Sequence, residues 1–305
     1  MIHIPPMVPA CSHPLTVILV DDNLTALEST ELVLEEHFPC KKFSDPIKAL
    51  EYLNNEYREK PYTERAFEIT GGSEPSSQDR KQTLFFERIH HEVYRPERFR
   101  ESNVVIMDHA MPIMKGMECA ALIKNRRLLI IMLTGEASME TGLEGLNEKI
   151  ITRYIRKDQE DFQSILIPWI YQGVYDYFSF HSLPIINALT KNSAITDEAY
   201  INLVNQIKSE NGIIEHYLTD TAGSLVMFDR DAVPSWLAII SEDQIKQAID
   251  YGIRIYVSQS NIDAMIRREK MPYVFADSSE GRVISNEWDK YLHPATLLVG
   301  KRNYY

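Results

Sequence analysis

The sequence predicts an α/β domain built on a parallel sheet and carrying a long insertion, followed by helices and an α+β section with an antiparallel sheet. Three observations carry this. Four apolar runs end abruptly in polar residues: 15–20 (LTVILV) before Asp21-Asp22, 104–107 (VVIM) before Asp108, 128–133 (LLIIML) before Thr134-Gly135, and 150–156 (IITRYIR) before Lys157. Helical patterns separate them, NLTALESTELVLEEHF after the first, about 115 to 125 after the second and 138 to 148 after the third. From residue 213 the text changes to short strands with tight turns. Apolar strands alternating with helices give a parallel sheet covered on both faces, whereas closely spaced strands give hairpins.

Taken in order, Ser44-Asp45-Pro46 opens a helix with a cap and a proline at its first position, and IKALEYLNNEY fills it. Residues 57–82 are polar, with a Gly-Gly-Ser-Glu-Pro-Ser-Ser stretch, and read as a flexible loop. Residues 83–100 read as a helix with Leu84, Phe85, Ile89 and Val93 on one side, which either docks on the sheet domain or binds a partner. His90 and His91 are adjacent and so face different directions on a helix; they read as solvated surface histidines. Beyond Lys157 a helix over about 159–177 carries Phe162, Ile165, Leu166, Trp169 and Ile170 at helical spacing. Two more helices follow at about 181–191 and 197–211, the second capped by Thr196 and ended by Gly212.

From 213 onward three strands form a meander, IIEHYLTD, LVMFD and VPSWLAIIS. The turn Asp220-Thr221-Ala222-Gly223-Ser224 reads as a hairpin turn in preference to a phosphate-binding nest. Ser241-Glu242-Asp243-Gln244 is a capping box opening a helix that ends before Gly252. A strand IRIYV, a short helix near 260–269 and a strand MPYVFAD complete the section, with Trp236, Tyr256 and Phe275 expected in its core.

In a parallel sheet all strands point one way, so their carboxyl ends gather Asp21, Asp22, Asp108, Thr134 and Lys157 at one edge. Alone, Asp108 is equally well a turn residue that caps the next helix. Three clustered carboxylates repel, and protons or a cation must hold them together. An all-oxygen set suits a hard ion such as Mg2+, which keeps waters and accepts phosphate oxygens. With a lysine and a hydroxyl beside it, such a pocket has what phosphoryl transfer needs, and Asp108 is the natural nucleophile because a carboxylate can become an acyl phosphate.

These residues resemble the receiver domains of two-component response regulators: Asp21-Asp22, Asp108 with Met111-Pro112 and Gly116, Thr134 followed by Gly135, and Lys157 match that pattern in order and detail. The resemblance implies a flavodoxin-like, doubly wound sheet of five parallel strands. It also implies that Asp108 is the phosphoacceptor, that Asp22 binds Mg2+ directly with Asp21 holding it more loosely through water, and that the backbone carbonyl of Ala110 is a further ligand. Thr134 and Lys157 would hold phosphoryl oxygens, and Tyr154 would be the switch aromatic. The implied partners are a histidine kinase and, after phosphorylation, a second copy of the chain meeting it through the surface near 138–175.

Two features depart from the pattern. Asp158 stands where a proline, often cis, follows the lysine; a non-proline cis bond costs roughly 2.5–4 kcal/mol, so the loop either relaxes to trans or holds strain. The insertion, about 57–101, replaces a short crossing. An elongated insertion joined to an atypical output section also resembles quorum-sensing response regulators.

The expected organisation is a receiver at 1–177, a helical connector at 178–212 long enough to set two output domains side by side, and an α+β output domain at 213–305. A net charge of -12 discourages nonspecific binding to nucleic acid or anionic membrane. Residues 213–305 hold 10 Lys and Arg against 13 Asp and Glu, a net of -3 that argues against DNA binding. Cys11, Cys40 and Cys119 lack metal or redox spacing and suit reduced thiols in the cytosol. No run is long enough to span a membrane, and MIHIPPMVPACSHP lacks the basic start of a signal peptide, so a cytoplasmic protein is expected. The output section has no glycine-rich phosphate loop, zinc-type cluster or paired-histidine hydrolase signature. It reads either as a nucleotide-binding or nucleotide-processing module gated by the receiver, or as a non-enzymatic protein-interaction surface.

Overall fold

The structure, a computed structural model, describes residues 4–56, 62–70, 81–135, 139–159, 161–189, 193–273 and 288–305. The first elements are β1 (Cys11–Ser12), β2 (Val17–Val20), α1 (Leu24–Leu34), β3 (Cys40–Phe43) and α2 (Pro46–Glu51). The insertion holds α3 (Tyr62–Ala66), β4 (Phe67–Thr70), β5 (Lys81–Leu84) and α4 (Phe86–His90). Then come β6 (Val104–Asp108), α5 (Gly116–Leu122), β7 (Leu129–Thr134), α6 (Met139–Asn147), β8 (Arg153–Arg156) and α7 (Phe162–Ala188). By internal packing the chain divides into two compact units, one of Ser12–Thr83 with His91–His181, the other of Met1–Cys11, Leu84–His90 and Ser182–Tyr305.

The first unit is a receiver-like parallel sheet in the order β3-β2-β6-β7-β8. Val17 lies opposite Val104, and Val104 opposite Leu129, so the strands run in register toward a common carboxyl edge. β2 and β6 are buried along their whole length, as continuous apolar runs require in a sheet covered on both faces. One face packs Ile18, Val105, Met107 and Met132 against Ala49, Cys119 and Ala120. Helix α7 buries Leu166 and Ile170. Gly173 permits its close approach to the sheet, since a Cβ there would stand 2.6 Å from the Leu129 side chain. At the far end of the sheet, Asn103 Nδ2 donates to the Gly173 carbonyl (3.1 Å).

Two expectations for the insertion and the helices after Lys157 are corrected. The insertion is not a plain loop followed by one helix: α3, β4 and β5 lie within it, β4 pairs with β5, and residues 86–100 form α4 and two 3-10 turns. Residues 57–61 and 71–80 of the expected loop lie outside the described residues. The cause is a buried ionic network that joins residues distant in sequence. Arg65 pairs with Glu92 through two hydrogen bonds (2.8 and 2.7 Å) and reaches Glu101 at 3.3 Å, while the Tyr177 hydroxyl donates to Glu101 (3.1 Å). Burial raises the Glu101 carboxyl against the pull of Arg65, so losing one partner would leave a costly buried charge. Pro96 breaks the helical stretch, because the residue before a proline, Arg95, is pushed to extended backbone.

The second correction concerns the helices expected at 159–177 and 181–191. They are one helix, α7, which continues through Pro168 and Pro184. Proline removes a hydrogen bond inside a helix; complete burial of Leu166, Ile170, Phe178 and Ile185 outweighs that loss.

The second unit continues with α8 (Glu198–Asn211), β9 (Ile213–Leu218), β10 (Leu225–Asp229), β11 (Pro234–Leu237), α9 (Glu242–Arg254) and α10 (Gln259–Ile266). Short strands β12 (Lys270–Pro272), β13 (Leu292–Pro294), β14 (Leu298–Val299) and β15 (Asn303–Tyr304) follow. The expected meander is present as an antiparallel β9-β10-β11 arrangement, extended by β1 on the β9 side. The amino-terminal segment is therefore built into this sheet. Val8 N–H donates to Ile195 O (2.9 Å), Leu218 N–H to Ala10 O (2.8 Å), and His216 Nε2–H to Pro9 O (2.9 Å).

Several local expectations change here. Asp197, not Thr196, caps α8, because Thr196 lies in a 3-10 turn while the Asp197 carboxylate accepts from Ala199 N–H (3.1 Å). Gly212, at φ 63°, ends the helix as expected. Helix α9 runs through Gly252, where a Cβ would lie 2.9 Å from Ile262; that glycine serves close packing, not termination. Residues 253–257 form the helix end and a turn in place of a strand. Tyr256 is 91% exposed at φ 61° and Trp236 is 39% exposed, so neither belongs to the core; Phe275 lies outside the described residues. Among the described residues no helix is long and apolar enough to cross a membrane.

Candidate functional site

The carboxyl edge of the parallel sheet collects the five residues that the strand ends predict. Asp21 and Asp22 follow β2, Asp108 closes β6, Thr134 closes β7, and Lys157 follows β8. Asp21, Asp108 and Thr134 are buried, and Asp22 is exposed. One carboxylate oxygen from each aspartate lies within 4.8 Å of the others.

Lys157 holds two of these carboxylates. Its Nζ stands 2.6 Å from Asp21 Oδ2 and 2.7 Å from Asp108 Oδ1. Burial opposes the ammonium charge, but the hydrogen bonds to Asp108 and Asp21 outweigh it and raise the lysine above its ordinary range. The loop carrying it has no cis peptide bond, so Asp158 in place of proline leaves Lys157 within reach of the aspartates. The Asp158 carboxylate turns to Arg156 (Nε to Oδ1, 2.9 Å), and that hydrogen bond lowers it. Lys157 N–H donates to Thr134 O (2.8 Å), tying the lysine's backbone to the end of β7.

Local backbone sets the remaining geometry. Ala110 N–H donates to Asp108 Oδ2 (2.7 Å), which turns the two carboxylate oxygens to different partners. Gly116 is required, because a Cβ there would stand 2.2 Å from the Asp108 carbonyl. Tyr154, half-buried, packs its ring so close to Gly142 that a Cβ on that residue would lie 2.8 Å from ring carbons. Asn23 was not foreseen as a participant: its N–H donates to Asp21 Oδ1 (2.9 Å) while its side chain caps α1 through Thr25 N–H (3.0 Å). The signal was available, as asparagine directly before a helical run is a capping pattern.

The turn at Asp220 does not present open amides. Asp220 Oδ1 accepts from Ala222, Gly223 and Ser224 N–H (2.8, 3.0 and 3.1 Å), so the turn is satisfied within itself.

The three carboxylates form an all-oxygen donor set suited to a hard divalent cation, and the adjacent ammonium and buried hydroxyl suit a phosphoryl group. No known family profile matches the chain, and no curated protein matches it in sequence. Among solved structures, the response regulator LqsR of Legionella pneumophila is similar over 97% of this chain and 87% of its own, with 29% identity and a TM-score of 0.76. A CheY-like response regulator receiver domain protein from Methanospirillum hungatei covers 53% of this chain and 95% of its own, with 19% identity and a TM-score of 0.35.

Proposed function

We propose, on the premise that this chain is a response regulator with an amino-terminal receiver domain, that it takes a phosphoryl group from a histidine kinase onto Asp108. The observation that carries the reading is Lys157 bridging Asp21 and Asp108 beside buried Thr134 at the sheet's carboxyl edge.

An Asp108 carboxylate oxygen attacks phosphorus in line, the bond from phosphorus to the kinase histidine breaks, and an acyl phosphate forms. Asp21, Asp22, Asp108 and the Ala110 carbonyl would hold Mg2+, which neutralises charge on the phosphoryl oxygens when bound. Lys157 exchanges its bond to Asp108 Oδ1 for one to a phosphoryl oxygen, and the Thr134 hydroxyl donates to another. The group adds roughly -1.5 to -2 charge. With Thr134 and Lys157 drawn toward it, Tyr154 changes its packing on Gly142 and alters the surface near 138–175. Leu143, exposed on that surface, favours a second copy of the chain in the altered state. The quorum-sensing setting and a cytoplasmic location belong to the same proposal, as do limits of 1–177 for the receiver, 178–212 for the connector and 213–305 for the output domain.

Acid-labile labelling by a small phosphodonor with Mg2+ tests the reading. Asp108→Asn abolishes it; undiminished labelling of that variant overturns the assignment.

A further inference from the structure

The second unit contains a cavity of about 290 Å³ bounded by residues from α4, the β9–β10 turn, β11, α9 and the end of β12. This is the lower edge of the roughly 300–1,000 Å³ range of small-molecule sites, which limits an occupant to one ring or a short branched chain.

Its walls have a definite chemistry. Asp220, Trp236, Tyr273 and His90 face it, with Ile239 and Pro272 among the apolar wall residues. Among the described residues that line it there is neither lysine nor arginine. Asp220 Oδ1 is saturated by three backbone amides, while Oδ2 has no protein partner among the described residues. The carboxylate is thus fixed in orientation with one oxygen left for a ligand. Burial, helped by the Asp220 charge, keeps the Tyr273 phenol above its ordinary range, so its ring stays neutral. Trp236, on the outermost strand of the sheet and partly exposed, supplies an indole whose burial a ligand would complete.

Aromatic faces attract cations, Trp most strongly, and a carboxylate with a spare oxygen attracts an ammonium donor. Among the described lining residues an anion would meet Asp220 with no compensating positive charge from lysine or arginine. The geometry points to a binding site for a small organic ammonium ion, its charge at Asp220 and its carbon skeleton against Trp236 and Tyr273.

The test uses the full chain, with phenethylamine as cation, 2-phenylethanol as its neutral analogue and phenylacetate as anion, followed by calorimetry. Phenethylamine binds, and the alcohol and the acid bind at least about tenfold more weakly. Asp220→Asn keeps an oxygen for the three amides and so keeps the turn while removing the charge; it weakens phenethylamine about tenfold and leaves the alcohol unchanged. Trp236→Ala, at an exposed edge position, weakens phenethylamine with an unchanged unfolding midpoint. Failure of phenethylamine to bind at millimolar concentration, equal binding of the alcohol, or binding that survives both substitutions overturns the assignment.

Discussion

Lys157 and Asp108 meet at 2.7 Å across the carboxyl edge of the sheet, from strands β8 and β6 that are not neighbours but are separated by β7. The ammonium thus already occupies part of the space that a divalent cation would share. Removing it as Lys157→Ala leaves Asp21 and Asp108 facing each other uncompensated. Without metal, stability falls by about 2 kcal/mol, less than for a fully buried pair because the lysine is partly exposed. Mg2+ affinity rises about tenfold as the competing charge is lost. Thermal unfolding with and without Mg2+ measures both effects, and a variant less stable in Mg2+ than in its absence contradicts the shared-space account.

Gly116→Ala places a Cβ 2.2 Å from the Asp108 carbonyl, and backbone there cannot yield without moving the aspartate. The expected cost is about 1–3 kcal/mol, accompanied by slower uptake of phosphoryl from a small donor. Denaturant titration reads the first and labelling rate the second.

Gly300→Ala probes the second unit. Asp197 accepts from Ala199 N–H at 3.1 Å and from Lys301 N–H at 2.6 Å, and a Cβ on residue 300 would stand 2.4 Å from its carboxylate. Loss of the α8 cap costs about 1–2 kcal/mol, seen as a lower unfolding midpoint with phosphoryl labelling of Asp108 retained.

Acid weakens the fold through two histidines. Burial holds His13 down at about 3 and His181 at about 4, so both are neutral in the native chain, while the unfolded chain protonates them below about 6.5. The unfolded state therefore binds more protons between those values, and stability is full above pH 6.5 and falls as pH drops toward 4. The slope reaches about 1.4 kcal/mol per pH unit for each group. His13, whose ring lies edge-on to Phe178 at 4.7 Å, is the stronger contributor because it is the more deeply buried. Urea midpoints at pH 7 and pH 5 check this, and His13→Phe shallows the difference.

Deleting residues 1–11 removes β1 pairing and the bonds from Val8, Pro9 and Ala10 to Ile195, His216 and Leu218. The second unit then unfolds several degrees earlier in calorimetry, and a fragment of residues 178–305 behaves likewise.

The carboxyl edge of the sheet was readable in the sequence because each of its residues ends an apolar run, and period and burial coincide there. Strand β3 left no such trace: its Lys41 and Lys42 are exposed at the sheet's border, where little apolar surface is buried. Nor did the insertion, since Arg65, Glu92 and Glu101 find one another across more than 25 positions through charge and not through periodicity. The break expected after residue 177 in α7 and the stop expected before Gly252 in α9 were both overridden by packing. Tyr256 was misplaced in the core because aromatic character does not reveal a backbone at φ 61° that turns the ring outward.

The chain passes from one unit to the other four times, after Cys11, Thr83, His90 and His181. A protein laid out like beads has a single seam where an ancestor could have exchanged one effector for another. This one has no such seam, because any single cut leaves one unit missing an edge strand or a wall of its cavity. A swap of whole halves therefore starts from a less stable unit, a cost that point changes within the jointly inherited pair do not carry.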